Sequence, residues 1–374
     1  MFSSIRKFIS RNSRKFAIGG AIVGGLVFML KYNQYKLNEW RRQEVQQVLQ
    51  RTRRNQHFES TERSCAQTIM NLAGSIKSSV LKLLDSDTVI NNLKNDSCDK
   101  ITAWNHLKIL SVSKSVAIIY ANVMFVFTLK IQLNLISANM FKNSQKTEEI
   151  LEFNETVQEK YLTLCSHFME KGIHTLTLYI KQKVEEVVNS ISLTDKLSIR
   201  DLELLHWSIM SSIIADETNN PIKNLTKYML LTTVDDDSSE PLNKIMTVTV
   251  DLLESDEAQS LMQSSVRSGF VLLIDRISKF FTQKFDNSGV AHSSDSNVKN
   301  ILNGDVNTNN CSQVEPYFNL HEIKIPMAKL IPILNGQVQN LPSSHDIHSN
   351  WLQILISDEK LQTFSANIYE AFSF

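Results

Sequence analysis

The sequence predicts an all-α fold, a single large elongated helical bundle with long helices, preceded by an N-terminal transmembrane helix. Hydrophobic residues make up 42% of the chain and charged residues 21%, a composition typical of folded globular proteins. Glycine and proline are scarce, with 10 and 6 copies in 374 residues, and the first proline is Pro221. So long a stretch without proline favours long helices. An uncharged segment near the N-terminus predicts the membrane helix.

That segment predicts an anchor at residues 16–32. It begins FAIGGAIVGGLVFML, which carries no charge. With Lys31 and Tyr32 at the interface it reaches about 17 residues, the lower limit for a transmembrane helix. No small-residue cleavage site follows, which favours a retained anchor over a cleaved signal peptide. We therefore expect a basic segment at 1–15, the anchor at 16–32 and a cytosolic helical body at 33–374.

A mitochondrial presequence followed by an anchor is the alternative interpretation of the N-terminus. Residues 1–15 are rich in serine and arginine, lack acidic residues, and place Phe2, Ile5 and Ile9 on one helical face. Basic residues flank the uncharged segment on both sides in similar numbers. The positive-inside rule therefore leaves the orientation of the anchor open.

The membrane-proximal part of the chain is strongly basic. Residues 1–56 contain 12 Lys or Arg and 2 Asp or Glu, although the whole chain has a net charge of zero. Next to an apolar segment, such a charge indicates contact with anionic lipid headgroups rather than with nucleic acid. We expect Arg51, Arg53 and Arg54 to make this lipid contact.

The rest of the chain shows helical periodicity and no alternation typical of strands. A long helix is predicted over 33–84, with an apolar stripe in its second half, and a short apolar turn follows at 89–94. Within a second long helix at 99–142, residues 116–129 are apolar nearly all round, which indicates a buried central helix rather than a second membrane span. Further helices are predicted at 147–190, 196–215, 222–232, 240–256 and 258–284, a disordered loop at 286–319, renewed order at 323–334 and a final helix at 350–372.

No motif for catalysis, cofactor binding or metal binding is present. The chain has no HExxH, GxGxxG, GxxxxGK[ST], GxSxG or CxxC motif, and its four cysteines are far apart. We interpret the cysteines as free thiols in a reducing compartment. We therefore expect no enzyme activity, no catalytic residue, no cofactor, no metal and no small-molecule substrate.

A tryptophan flanked by lysines indicates a binding surface. Lys100, Trp104 and Leu107 are spaced at i, i+4 and i+7, which places them on one face of a helix, and Leu93 and Lys94 lie just before a break in the pattern. An apolar patch of this kind, edged by lysines, can accept an acidic amphipathic helix. The alternative is that Trp104 belongs to the core.

Several stretches resemble the peroxin-3 family, in order and over nearly the whole chain. They are the glycine-rich anchor running into Lys31-Tyr32; 57–60 with Arg63 and Cys65; 93–95 with Lys100, Trp104 and 107–109; 131–134; 328–337; and 366–373. The segments 196–256 and 286–319 match only loosely. Six ordered matches are more specific than any single motif.

The resemblance implies a peroxisomal membrane protein with its N-terminus in the matrix and a helical body in the cytosol. It also implies a docking role, in which the body binds the N-terminal amphipathic helix of peroxin-19, the soluble receptor for new peroxisomal membrane proteins. Trp104 falls on the family's central groove tryptophan. Leu93, Lys94, Lys100 and Leu107 fall around it, and Lys329 falls on the groove edge. The alternatives are a tether on another organelle, such as the mitochondrion, and a membrane-bound enzyme.

Overall fold

The computed structural model describes residues 13–95, 99–145, 155–163, 166–229, 240–288, 323–338 and 347–373, except the side chains of 13–27, 155 and 282–288. These residues are almost entirely helical, which confirms the predicted all-α class. The helices are α1 (Ser13–Leu83), α2 (Ser86–Lys94), α3 (Lys100–Gln145), α4 (Glu155–Thr163), α5 (Ile173–Val188), α6 (Ile199–Ala215), α7 (Leu225–Met229), α8 (Glu240–Glu254), α9 (Asp256–Ser288), α10 (Met327–Asn335), α11 (Ile347–Ile356) and α12 (Glu359–Phe372).

Two very short strands accompany the helices. Strand β1 (Lys196–Leu197) pairs antiparallel with β2 (Ile325–Pro326), and Lys196 lies opposite Pro326. The pairing links the start of α6 to the start of α10, two helices that are far apart in the sequence. Sequence periodicity gave no signal for it, because strands of two residues are too short to show an alternation.

By their contacts the residues divide into two compact units, Met1–Ser60 and Thr61–Phe374. In the first unit, every side chain from 28 to 53 is exposed. The predicted anchor at 16–32 has a helical backbone within α1, but its side chains up to residue 27 lie outside the described part.

Helix α3 forms the centre of the second unit. Every residue from 107 to 132 is buried, and α3 contacts α2, α5, α7, α8, α9, α10, α11 and α12. By length and composition α3 could cross a membrane, yet 94% of its most apolar 18-residue window is buried inside the protein. This burial confirms that the apolar stretch at 116–129 is a core helix. Among the described residues, no other helix meets those length and composition criteria.

Three buried lysines interrupt the apolar surface of α3, and each finds an oxygen partner. Lys108 Nζ donates to the carbonyl oxygen of Ile191, and Lys130 Nζ forms an ion pair with Glu62 of α1 at 2.5 Å. Lys114 bonds to side chains of α2 and α10 and is described with the candidate site. Buried cations need such partners, because an unpaired buried charge is strongly destabilising. The lysines therefore fix α1, α2 and other surrounding segments against α3.

Within the helix predicted at 147–190, the described residues are helical up to Val188 and include a π-helical turn that was not predicted. Helix α4 ends at Thr163, and a π-helical turn (Phe168–Gly172) precedes α5. A Cβ atom on Gly172 would lie 2.0 Å from the carbonyl oxygen of Tyr228, so only glycine allows α7 to approach this turn. The requirement for glycine at this turn therefore comes from a tertiary contact, which periodicity does not report.

Three other predicted boundaries also differ. Residues 86–94 form helix α2 rather than a turn, because Asp85 caps its N-terminus. The predicted final helix at 350–372 is two helices, α11 and α12, and Asp358 caps the second. Helix α9 extends to Ser288, so the first three residues of the loop predicted at 286–319 are helical, and the remainder lies outside the described residues.

Candidate functional site: a groove around Trp104

A groove with a volume of about 490 Å³ opens in the second unit, between α2, α3, α10 and the end of α1. We call it the Trp104 groove. Its lining residues are mainly apolar: Leu81, Asp87, Ile90, Trp104, Leu107, Lys114, Ile331, Pro332, Asn335, Gly336 and Val338.

An acidic residue caps the N-terminus of each of two helices that line the groove, α2 and α3. Asp85 Oδ1 accepts hydrogen bonds from the backbone amides of Asp87 at 2.9 Å and Thr88 at 3.1 Å, which fixes the start of α2. Asp99 accepts in the same way from the amide of Thr102 at 3.2 Å, at the start of α3. Hydrogen bonds from Thr88 lower the pKa of Asp85, so its carboxylate stays ionised at neutral pH. The positions of both helices are therefore well defined next to the groove.

Trp104 and Leu107 form the apolar part of the α3 wall. Trp104 is half-buried and packs against the core, whereas Leu107, one turn later, is buried. Both line the groove, as the sequence spacing predicted. The exposed part of the Trp104 side chain is accessible to a ligand, while buried residues of α3 such as Leu107 fix the helix in the core.

Lys114 is the buried cation of the groove. Its Nζ donates to Ser86 Oγ at 2.5 Å and to Asn335 Oδ1 at 3.1 Å, which joins α2 to α10 across α3. Burial lowers the pKa of Lys114, since desolvation disfavours the ammonium form. Lys114 follows Leu107 by seven residues and so continues the face of Lys100, Trp104 and Leu107. That spacing is the signal that could have identified it.

The other predicted partner-binding residues lie on the same helices but do not line the groove. Leu93 is half-buried against the core at the end of α2, and Lys94 beside it is exposed. Lys100 is the exposed first residue of α3, and Lys329 is exposed near the start of α10. The structure therefore brings Trp104 and Leu107 together in the groove and leaves three lysines on the helices that form it.

Sequence reasoning missed most of the remaining lining. Ile331, Pro332 and Asn335 belong to the stretch 328–337 that carried the family resemblance, so that resemblance was the available signal. Leu81 and Ile90 are apolar positions of amphipathic helices, and nothing local distinguishes them from core residues. Their role depends on how α1 and α2 pack against α3.

The predicted lipid-contact residues lie in the first unit, on α1. Arg51 and Arg53 are exposed, and Arg54 is half-buried with an interaction partner of its own. Their contact with lipid stays a prediction.

The chemistry of the Trp104 groove suits binding rather than reaction. One carboxylate, Asp87, and one ammonium group, Lys114, stand among apolar and amide groups. Within the described ranges, no three or more His, Cys, Asp or Glu residues lie close enough together to hold a metal ion. In the same unit, burial raises the pKa of the Cys65 thiol to about 12, so it is unreactive at neutral pH.

Comparison with known proteins finds relatives that are all named as peroxisome biogenesis proteins. The family model described as Peroxin-3 matches residues 7–103 and 137–371. Peroxisomal biogenesis factor 3 of Homo sapiens is 28% identical over 391 residues, which cover 100% of this chain and 98% of that protein. The protein of the same name from Cricetulus longicaudatus is 28% identical with the same coverage. Peroxisome biogenesis protein 3-1 of Arabidopsis thaliana is 20% identical over 61% of this chain and 68% of its own length.

Proposed function

Because the chain belongs to the peroxin-3 family and so has a role in peroxisome biogenesis, we propose that it is a docking factor at the peroxisomal membrane. In this proposal its helical body binds the N-terminal amphipathic helix of peroxin-19. The receptor then releases new membrane proteins at the site of insertion. The Trp104 groove is the observation that carries the proposal.

The groove has the properties that helix-in-groove recognition requires. Its lining is mainly apolar and contains a tryptophan, a residue type that often supplies much of the binding energy at protein interfaces. The exposed Lys94, Lys100 and Lys329 lie on the helices that form the groove. An acidic amphipathic helix would place apolar side chains on Trp104 and Leu107 and carboxylates towards these lysines. The charges would then set orientation and association rate more than affinity.

We also propose that residues 16–32 anchor the chain in the membrane, with the N-terminus in the matrix and the body in the cytosol. Phe28, Met29 and Leu30 support this, because they are 73%, 63% and 62% exposed. Such apolar exposure on a helix is costly in water and favourable in lipid. Arg51 and Arg53 are exposed further along α1, and we propose that they and Arg54 contact anionic headgroups, at roughly 1 kcal/mol per nearby charge.

Calorimetry tests the docking proposal directly. The full chain in detergent micelles is titrated with a synthetic peptide of the peroxin-19 N-terminal helix, and a peptide of the same composition in scrambled order is the control. Saturable binding of the first peptide alone is the expected outcome. Equal binding of both peptides, or of neither, contradicts the proposal.

Localisation separates the remaining alternatives. A fluorescent fusion is expected on peroxisomes, whereas a tether of another organelle, such as the mitochondrion, would label that organelle in cells with and without peroxisomes. Alkaline carbonate extraction tests the anchor, since the chain lacking residues 1–33 should leave the membrane pellet. A membrane-bound enzyme remains the least supported alternative, because the relatives are named as biogenesis factors.

A further inference from the structure

A second surface, on helices α6 and α9, exposes three large apolar side chains. Trp207 is 52% exposed, Leu204 one turn before it is 56% exposed, and Val271 on the neighbouring α9 is 69% exposed. We call these three residues, with Glu203 and Arg267 at their edge, the Trp207 patch. Soluble proteins seldom leave a tryptophan and two aliphatic side chains exposed together unless a partner covers them.

A pocket with a buried base lies beneath the patch. Trp207 and Val271 border a shallow pocket of about 290 Å³, whose base is formed by the buried His206 and Phe270. The centres of these two rings lie 5.5 Å apart, and His206 Nδ1 donates to the carbonyl oxygen of Leu202. Burial lowers the pKa of His206, so the imidazole is neutral at physiological pH. A partner would therefore meet a preformed surface, at little cost in ordering.

The charges of the patch have opposite signs and lie on different helices. Arg267 on α9 places its guanidinium carbon 5.9 Å from the centre of the Trp207 ring. Glu203 on α6 borders the same pocket. In the part of the chain that the structure describes, neither residue forms an ion pair. The patch thus presents one positive and one negative charge beside its apolar residues, each without an ion-pair partner among the described residues.

We propose that the Trp207 patch binds the same patch of a second copy of this chain in a two-fold symmetric contact. A two-fold axis in the contact plane, parallel to the α6–α9 pair, places α6 of each copy over α9 of the other. Glu203 then faces Arg267 of the second copy, and symmetry repeats this pair. The apolar centre of each patch, Trp207 and Val271, is covered by its counterpart.

Charge complementarity is what selects a second copy as the occupant. A basic or acidic partner would satisfy only one of the two charges, whereas a second copy of this chain carries one charge of each sign on the same surface. The three exposed apolar residues cover less than the roughly 800 Å² per partner of a stable interface. The contact is therefore weak and reversible, and its extent rises with protein concentration.

Sedimentation of the full chain in density-matched detergent tests the proposal. The wild-type chain is expected to shift from monomer to dimer as its concentration rises. Glu203→Arg brings like charges together in both symmetric pairs, and Arg267→Glu does the same with the opposite sign. Each variant alone is expected to remain monomeric. A one-to-one mixture of the two is expected to associate, because every cross-pair is then attractive.

Further variants make the outcome decisive. Trp207→Gln is expected to lower dimerisation at least tenfold, while Leu178→Gln, at an exposed apolar position on α5, leaves it unchanged. If a charge reversal prevents folding, as judged by circular dichroism, Glu203→Gln and Arg267→Gln replace it and each is expected to weaken dimerisation.

Three results would overturn the two-fold contact. They are a wild-type chain that is monomeric at every concentration, dimers that persist in every patch variant, and a mixture of the two charge variants that does not associate.

Discussion

Trp104 and Trp207 are both exposed in part on helices of the same unit, but their surroundings differ. Trp104 lies in a groove of about 490 Å³ between four helices, with a buried lysine among its lining residues. Trp207 lies over a pocket of about 290 Å³ between two helices, and the guanidinium group of Arg267 lies near its ring. The first site has the larger volume and is formed by several helices, whereas the second is smaller, is formed by two helices and has exposed charged residues at its edge.

This difference separates two kinds of contact. A large apolar groove between several helices takes in several side chains of a ligand, so a few anchors supply most of the affinity. A smaller apolar surface with charged residues at its edge stays hydrated there and gives less energy per residue. We therefore expect Trp104 to dominate peptide binding and Trp207 to have no part in it. The predictions below test this expectation, from the largest effect to the smallest.

Replacement of Trp104 is expected to have the largest effect. Trp104→Ala should weaken binding of the peroxin-19 peptide by about 2–4 kcal/mol, roughly thirtyfold to a thousandfold, because it removes the aromatic anchor. Calorimetry measures the affinity, and circular dichroism should show an unchanged helical content. Trp207→Ala is the matched control and should bind the peptide normally. An unfolded Trp104→Ala chain would instead assign Trp104 to the core.

Lys114 tests whether the groove has a fixed shape. Lys114→Met should lower the free energy of unfolding by about 1–3 kcal/mol, because Ser86 and Asn335 both lose their buried partner. Denaturant titration measures the change. The exposed Lys82 of α1 offers a control, and Lys82→Met should stay close to the wild-type stability. Equal stability of the two variants would show that the hydrogen bonds of Lys114 to α2 and α10 contribute little to the free energy of unfolding.

The exposed lysines should contribute less than the apolar anchor. Lys100→Ala and Lys329→Ala are each expected to weaken peptide binding by about 0.5–2 kcal/mol, since exposed charges are screened by solvent. The difference in peptide affinity between the wild type and each variant should become smaller as the salt concentration rises, and titrations at low and high salt measure it. An effect that does not depend on salt would indicate packing by the lysine side chain rather than charge.

The smallest expected effect concerns the acidic cap of α2. Hydrogen bonds from Thr88 lower the pKa of Asp85 below its value in the unfolded chain. The ionised carboxylate therefore contributes fully to the free energy of unfolding above about pH 4, and this contribution is lost as the pH falls through the folded-state pKa. Because Asp85 is exposed, the contribution should stay below about 1 kcal/mol. Denaturation as a function of pH should show a shallower decline for Asp85→Asn than for the wild type. Identical profiles would mean that the cap does not stabilise α2.

Sequence patterns predicted helices where local chemistry determines them. The predicted start of α6 lies three residues from its observed start, where Ser198 and Asp201 form a reciprocal capping box that local sequence encodes. The close contact at Gly172, at the end of the π-helical turn, was not predictable, because it depends on the carbonyl of Tyr228, 56 positions away. Periodicity describes which face of a helix is apolar, but it does not describe which distant segment approaches that face.

In the candidate site, too, residues defined by local spacing were predicted and residues defined by distant contacts were not. Trp104 and Leu107 were predicted from their spacing on one helix and from the family resemblance. Lys114 was not predicted as a site residue, although it lies at the same helical phase. Its role depends on Ser86 and Asn335, the second of which is 221 positions away. Groove residues contributed by distant helices therefore need the structure or a resemblance to be recognised.

The buried lysines of α3 would be placed differently in a membrane and in the folded protein. Before folding, a ribosome-bound chain would present α3 as a segment apolar enough to enter a bilayer. Lys114 and Lys130 border the apolar stretch at 116–129, so in a membrane span they would lie near its ends and reach for the interface. In the folded protein, Lys108, Lys114 and Lys130 instead bind Ile191, Ser86, Asn335 and Glu62. Folding therefore gives these lysines buried partners and holds a hydrophobic helix in the core.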